Sequence, residues 1–366
     1  MGDRADTWCY NAPVKPATSS STTSDAESGT TAQQSATEQV TSASAVPATG
    51  SQHADWDITN GVGYTALAVA AARAMESARP TPLITDRYAG AFVAAAEQGG
   101  ARLPLPSNWP PDVADMAAAT GIDATQLRQL WEGLTDYLAV RSRYFDRFLT
   151  SACHAAGIRQ VVVLAAGLDT RAHRLDWPDG VRCFEIDHPN VLEFKDRVLA
   201  EQDSKPDCAR HTVGVDLRDD WPAALRDAGF DPDQPTAWLA EGLLFYLPDE
   251  AKQLLCDRVQ QLSAPGSRWA IESLTDPGGA MTTLTGDPVL QQLSERMGID
   301  PTTMWSGEQH WEPQPWLLCN GWTVTAQAAH TVAAQYGKVL DGPGPVGNTQ
   351  QPTVLLSAEY TAPVAD

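Results

Sequence analysis

The sequence predicts an α/β protein on a doubly wound, mostly parallel sheet, and three observations carry that prediction. Between Gln160 and Glu241 short apolar runs alternate with turns and helical stretches, the rhythm of repeated β–α–β units. The runs are nearly continuous Val, Ile, Leu, Phe and Ala, as strands buried on both faces require. Helical periodicity on either side supplies the covering layers.

Taken in order, the 366-residue chain begins with a stretch that predicts no core. From Pro16 to Ser51 it is Ser, Thr, Ala, Gln, Gly and acid, with Val40 and Val46 as the large aliphatics. So little apolar surface cannot offset the entropy of ordering, and residues 1–54 read as a disordered tail. A single domain is expected over 55–366. Its first part, 55–157, reads as a helical cap: Val62 to Ala78 and Asp86 to Gln98 have helical spacing, prolines 104, 106, 110 and 111 interrupt it, and a long helix runs from an N-cap at Asp123 to near Gly157. The α/β core is expected over 158–366. Strands are placed at Val161 to Leu164, Val181 to Ile186, a shorter run Thr212 to Val215, Ala237 to Ala240 and Arg268 to Leu274, with a helix from about Asp249 to Leu262. Trp322 to Ala326 and Thr353 to Tyr360, separated by helical His330 to Tyr336, predict an antiparallel edge. An insertion at about 275–320 holds Met281, Met297, Met304, Trp305, Trp311 and Trp316, either a lid core or the lining of a site for an apolar acceptor.

Composition narrows the function. With 46 acidic and 25 basic residues the net charge is −21, of which residues 1–50 carry −3, so the acidity belongs to the folded part. Nucleic acid and anionic membranes are poor partners for such a chain, and small molecules fit better. The six cysteines form no Cys-x-x-Cys pair, so no metal site is expected, and a reducing cytoplasm suits them. No stretch has the length and apolarity of a membrane span.

In a doubly wound sheet ligands bind beyond the carboxyl ends of the strands. After the first strand comes Ala165-Ala166-Gly167-Leu168-Asp169-Thr170-Arg171, in which Ala165, Gly167 and Thr170 occupy the positions of a three-glycine dinucleotide fingerprint. A pyrophosphate is therefore poorly supported, which argues against a nicotinamide-dependent oxidoreductase. Asp187, twenty residues beyond Gly167, ends the second strand where an acid accepts both hydroxyl hydrogens of a ribose. Asp216-Leu217 after the third run fits the amine and ring of adenine, and Glu241 ends the fourth in the same crevice. Each of these acids has an alternative role as a helix cap; their succession favours a nucleoside without phosphates.

These motifs, together with Glu185-Ile186-Asp187-His188-Pro189 and Trp238-Leu239-Ala240-Glu241-Gly242-Leu243-Leu244-Phe245-Tyr246-Leu247, resemble the leucine carboxyl methyltransferase-like family, more narrowly its actinobacterial branch of S-adenosylmethionine-dependent O-methyltransferases, which includes enzymes of polyketide biosynthesis. The resemblance covers about residues 57–362. It implies a Rossmann-like, seven-stranded methyltransferase sheet and S-adenosylmethionine as cofactor. Position by position it implies Asp187 at the ribose, Asp216 and Leu217 at the adenine, Gly167 at the methionine part and Glu241 beside the cofactor amine. An arginine from the preceding helix is implied at the methionine carboxylate, Arg141 or, in a shifted register, Arg143. One departure is Ala165, where better-known members often have Gly.

Methyl transfer from a sulfonium needs alignment more than acid–base chemistry. A carboxylate acceptor arrives ionised, whereas a phenol benefits from a base, and none of the scattered histidines stands out. Tyr144 and Tyr246 are candidates for acceptor contact. The expected acceptor is a small apolar carboxylic acid or phenol; a protein C-terminal carboxylate is the alternative.

Overall fold

The computed structural model describes residues 62–99, 117–118, 120–275, 286–297, 311–340 and 353–361. The tail expected over 1–54, the proline cluster, and Met281, Met304 and Trp305 of the insertion lie outside the described residues. Trp56–Asp366 form one compact unit, and everything below falls within it.

Among the described residues the sheet is preceded by α1 (Val62–Ser77), α2 (Ala89–Gln98) and α3 (Ala124–His154). Asp123 caps α3 as its sequence predicts, its carboxylate accepting from the backbone N–H groups of Thr125 and Gln126. Asp86, expected inside the second helix, lies before α2 and instead accepts from Tyr88 N and Ala89 N at 3.1 and 3.2 Å. Then follow β1 (Gln160–Leu164), α4 (Arg171–Arg174), β2 (Arg182–Asp187), α5 (Pro189–Glu201), β3 (Ala209–Gly214), α6 (Trp221–Asp227), β4 (Thr236–Ala240), a 3₁₀ turn Leu244–Tyr246, α7 (Asp249–Gln261), β5 (Arg268–Leu274), α8 (Pro288–Met297), α9 (Pro313–Cys319), β6 (Trp322–Ala328), α10 (Ala329–Gln335) and β7 (Thr353–Tyr360).

The seven strands form one sheet in the order β3-β2-β1-β4-β5-β7-β6. Strands β1 to β5 pair in parallel, and β7 runs antiparallel to both β5 and β6, so the antiparallel edge expected from the late strands is present. The order reverses at β1, which pairs with β2 on one side and β4 on the other, creating a crevice beyond their carboxyl ends.

Strand alternation divides the core. Val161 and Val163 of β1 and Ala237 and Leu239 of β4 pack with α3 and α10 on one face, through Leu138, Phe145, Leu149, Val332 and Ala333. Val162, Leu164, Trp238 and Ala240 face the other side, closed by Trp221 and Leu225 of α6, Leu255 and Val259 of α7 and Leu317 of α9. All residues of β1 and β4 are buried, which explains why each is apolar after its first residue, Gln160 or Thr236. The half-buried Trp311 and Trp316 pack against this second face. A third cluster joins α1, α2 and the start of α3 to α5 and α8, seating the helical cap over one end of the sheet. Among the described residues no helix is long and apolar enough to cross a membrane.

Candidate functional site

A cavity of about 210 Å³ opens at the β1 switch point, lined by the β1 loop (Ala165 to Asp169), Asp187 of β2, the turn after β4 (Glu241 to Leu243, Phe245 and Tyr246) and Arg141 of α3. Helix α1 closes it with Thr65, Ala66, Val69 and Arg73. The sequence-selected Arg141, Gly167, Asp187, Glu241 and Tyr246 are thus brought together. Asp216, Leu217, Arg143 and Tyr144 are not among the lining residues.

The β1 loop is folded tightly. Ala165 has φ 50° and Gly167 φ 46°, two left-handed residues separated by one, and Ala166 N reaches across to Ile186 O at 3.0 Å. A Cβ on Gly167 would lie 3.8 Å from Ala66 of α1, an ordinary contact, so it is the left-handed backbone conformation that favours glycine here. Asp187 fixes this loop: its Oδ2 accepts from Gly167 N and its Oδ1 from His188 N, both at 2.6 Å. Burial raises the Asp187 pKa above the ordinary aspartate value, opposed by these two N–H groups. The carboxylate keeps acceptor capacity beyond the two bonds it makes, since each oxygen has more than one lone pair.

A chain of buried ion pairs runs behind Arg141, Asp169 and Glu241 of the lining. Arg141 Nε bonds Glu241 Oε1 at 2.7 Å, and Arg171 Nη1 bonds Glu241 Oε2 at 2.7 Å. Arg171 also engages Asp169, and its Nε meets Asp146 Oδ1 at 2.7 Å; Asp146 Oδ2 takes Arg174 Nη1 at 2.6 Å. Arg141 Nη1 reaches Glu272 Oε2 on β5 at 3.1 Å. For Asp169, burial would raise the pKa, yet Arg171, Lys195 and Arg174 outweigh it and bring it down to about 2. Burial is likewise outweighed at Glu241, by Arg171 and then Arg141, so its pKa is lowered.

Arg141 is buried and Arg143 is exposed, because the helix repeat that buries Leu138 and Phe145 also carries position 141 inward. Asp216 lies beyond β3, and its carboxylate is taken up by Arg218 through N and Nε at 2.9 Å and Nη2 at 2.6 Å. Leu217 is half-buried against the second core face. Tyr144 faces β7, its hydroxyl bonded to Ser357 and its ring edge-on to Phe145 at 5.4 Å. Tyr246 is half-buried, its ring 4.6 Å from that of Phe245.

Sequence reasoning missed Glu272, Tyr137 and Arg73. Glu272 is an acid inside an otherwise apolar strand run, and Arg73 the one charge among the alanines of Leu67 to Ala74; both anomalies were readable. Arg73 Nε bonds Asp86 Oδ2 at 2.9 Å and its Nη2 donates to Leu168 O at 2.7 Å, tying α1 to the β1 loop. Among the described residues no cluster of His, Cys, Asp or Glu is arranged to hold a metal ion.

Comparison with known proteins agrees with this architecture. A Saccharopolyspora erythraea protein assigned as an S-adenosyl-L-methionine-dependent methyltransferase is 48% identical over 290 residues, 79% of this chain and 93% of the relative. Relatives with the same assignment from Mycobacteroides abscessus and Mycobacterium tuberculosis are 46% and 43% identical, over 77% and 84% of this chain and 86% and 94% of their own. Residues 66–260 match the leucine carboxyl methyltransferase family, spanning β1 to β4 and the cavity-lining residues from Ala66 to Tyr246, and the chain belongs to that family.

Proposed function

We propose that the protein binds S-adenosylmethionine in the β1 crevice and transfers its methyl group to a carboxylate oxygen of a small apolar acid. The observation that carries this reading is the charge and chemistry of the cavity lining. Its charged residues are Arg73 and Arg141 against Asp169, Asp187 and Glu241, one negative charge in excess. S-Adenosylmethionine, with a sulfonium, an ammonium and a carboxylate, carries one positive charge and complements it. Asp187 offers acceptor oxygens for ribose hydroxyls, Gly167 a clear backbone path, Glu241 a carboxylate for the ammonium and Arg141 a donor for the carboxylate. Adenine would extend past Asp187 toward Leu217 and Asp216, for which Asp216 must first give up part of its pairing with the exposed Arg218.

When bound, the cofactor supplies an electrophilic methyl carbon, to which the acceptor oxygen bonds as the carbon–sulfur bond breaks and its electron pair passes to sulfur. The chain's own residues bind, orient and exclude water. The described lining contains no histidine, lysine or cysteine; Asp169 and Glu241 are held ionised by arginines, which makes them weak bases, and Asp187, though raised by burial, has both oxygens bonded to the backbone N–H groups of Gly167 and His188. An acceptor that arrives already ionised suits such a site; a neutral hydroxyl does not. Val69, Leu243, Phe245 and Tyr246 give the acceptor side an apolar surface.

The test is incubation with methyl-labelled S-adenosylmethionine and a panel of carboxylic acids and phenols. The expected product is organic-soluble and releases labelled methanol in mild alkali, as a methyl ester does. Alkali-stable label would exclude an ester and overturn the carboxylate assignment, and alkali-labile label in a protein band would move the acceptor to a protein carboxylate. Asp187→Ala should weaken S-adenosylmethionine binding by about tenfold or more, since it removes charge-assisted hydrogen bonds; unchanged affinity measured by calorimetry rejects the ribose assignment.

A further inference from the structure

Arg141 is clamped on two of its three nitrogens. Nε lies on Glu241, whose second oxygen already belongs to Arg171. Nη1 lies on Glu272, at 3.3 Å from Oε1 and 3.1 Å from Oε2. Nη2 has no hydrogen-bond partner among the described residues, and it is the donor left to serve the cavity that Arg141 lines. Glu272 is itself immobilised from two directions: its Oε1 accepts from the Tyr137 hydroxyl of α3, and its Oε2 from Gly242 N at 2.7 Å. Gly242 has φ 65°, so the turn after β4 adopts a left-handed conformation to present that N–H. Tyr137 lies one helical turn before Arg141 and stacks on it, the guanidinium carbon 5.9 Å from the ring centre.

From this geometry we infer that Glu272 is a positioning residue for cofactor recognition, held by Tyr137 and Gly242 so that it stops Arg141 from closing onto Glu241. A guanidinium released from Glu272 would take Glu241 as a two-point pair, the favoured arginine–carboxylate geometry, and withdraw its outer edge from the ligand. Clamped as it is, Arg141 meets the amino-acid end of the cofactor without rearrangement. The inference rests on the reading of this cavity as the S-adenosylmethionine site.

The experiment measures calorimetric affinity for S-adenosylmethionine, S-adenosylhomocysteine and 5′-methylthioadenosine, which keeps the nucleoside but lacks the amino-acid end. Glu272→Gln should weaken the first two by about tenfold and leave methylthioadenosine within about twofold. Tyr137→Phe, which removes one hydroxyl from a buried ring, should reproduce the pattern at about threefold and keeps the test open if Glu272→Gln does not fold. An equal loss for all three ligands, or none, overturns the role of Glu272. Arg141→Lys separates the two levels: if it leaves S-adenosylmethionine binding unchanged the cavity assignment fails, and if it alone weakens binding only the Glu272 inference fails.

Discussion

Ala165 holds φ 50° with a Cβ present, a conformation that costs an L-residue about 1–2 kcal/mol. The sequence showed an alanine where a fingerprint glycine is usual, and the structure gives the physical meaning of that departure as backbone strain. Ala165→Gly relieves the strain but enlarges the freedom of the unfolded chain, so urea denaturation should show a net change within about 1 kcal/mol. Ala165→Val, β-branched in the left-handed region, should lose about 2 kcal/mol or more. Residue-scale legibility followed backbone logic: Asp187, Glu241 and Gly167, which follow or end strands beside the switch point, line the cavity, whereas Asp216, beyond the end of the edge strand β3, does not. Arg141 could be chosen over Arg143 from the helical phase of Leu138 and Phe145. Glu272 and Tyr137 were not selected because their role exists only through each other, across 135 residues of sequence.

At the scale of elements, α3 was the most readable because 31 residues of unbroken period leave little ambiguity. Its cap is also testable: Asp123→Ala removes the acceptor of two N–H bonds and should cost about 1 kcal/mol in urea denaturation. Strand β3 was less readable. It lies at the sheet edge and carries Arg210, His211 and Thr212, so its period is weak, and the apolar run at Thr212 to Val215 marked only its end. Its polar residues have a use: Arg210 bonds the buried Glu185 of β2 at 2.7 Å, as does Lys195 of α5. Helix α2 begins later than its pattern promised because Asp86 is committed to Arg73 and Thr170 as well as to capping.

For the whole molecule, the buried ion pairs set the acid limit of stability. Asp146, Asp169, Glu185 and Glu241 all have native pKa values below their ordinary range, burial being outweighed by their Arg and Lys partners. An acid whose native pKa is depressed contributes stability above its unfolded pKa near ~4 and loses it as pH falls toward the native value. Unfolding free energy from urea titrations should therefore be flat near neutrality and fall by several kcal/mol in sum between about pH 5 and pH 2, as linkage requires. Asp187, raised by burial, contributes with the other sign. The parallel sheet and its antiparallel edge were legible as a whole because each strand declares itself locally. The charge chain was not, since it is assembled from α3, the β1 loop, α4, the turn after β4 and β5 only once the sheet has formed. The order of the strands also has a consequence for synthesis. Because β7 lies between β5 and β6, β6 emerges from the ribosome before its only sheet neighbour has been made. At ordinary elongation rates the wait is roughly a few seconds, during which β5 presents an open edge and β6 pairs with nothing. A nascent-chain release that precedes Thr353 would leave β5 with an open edge and β6 unpaired, an aggregation-prone product.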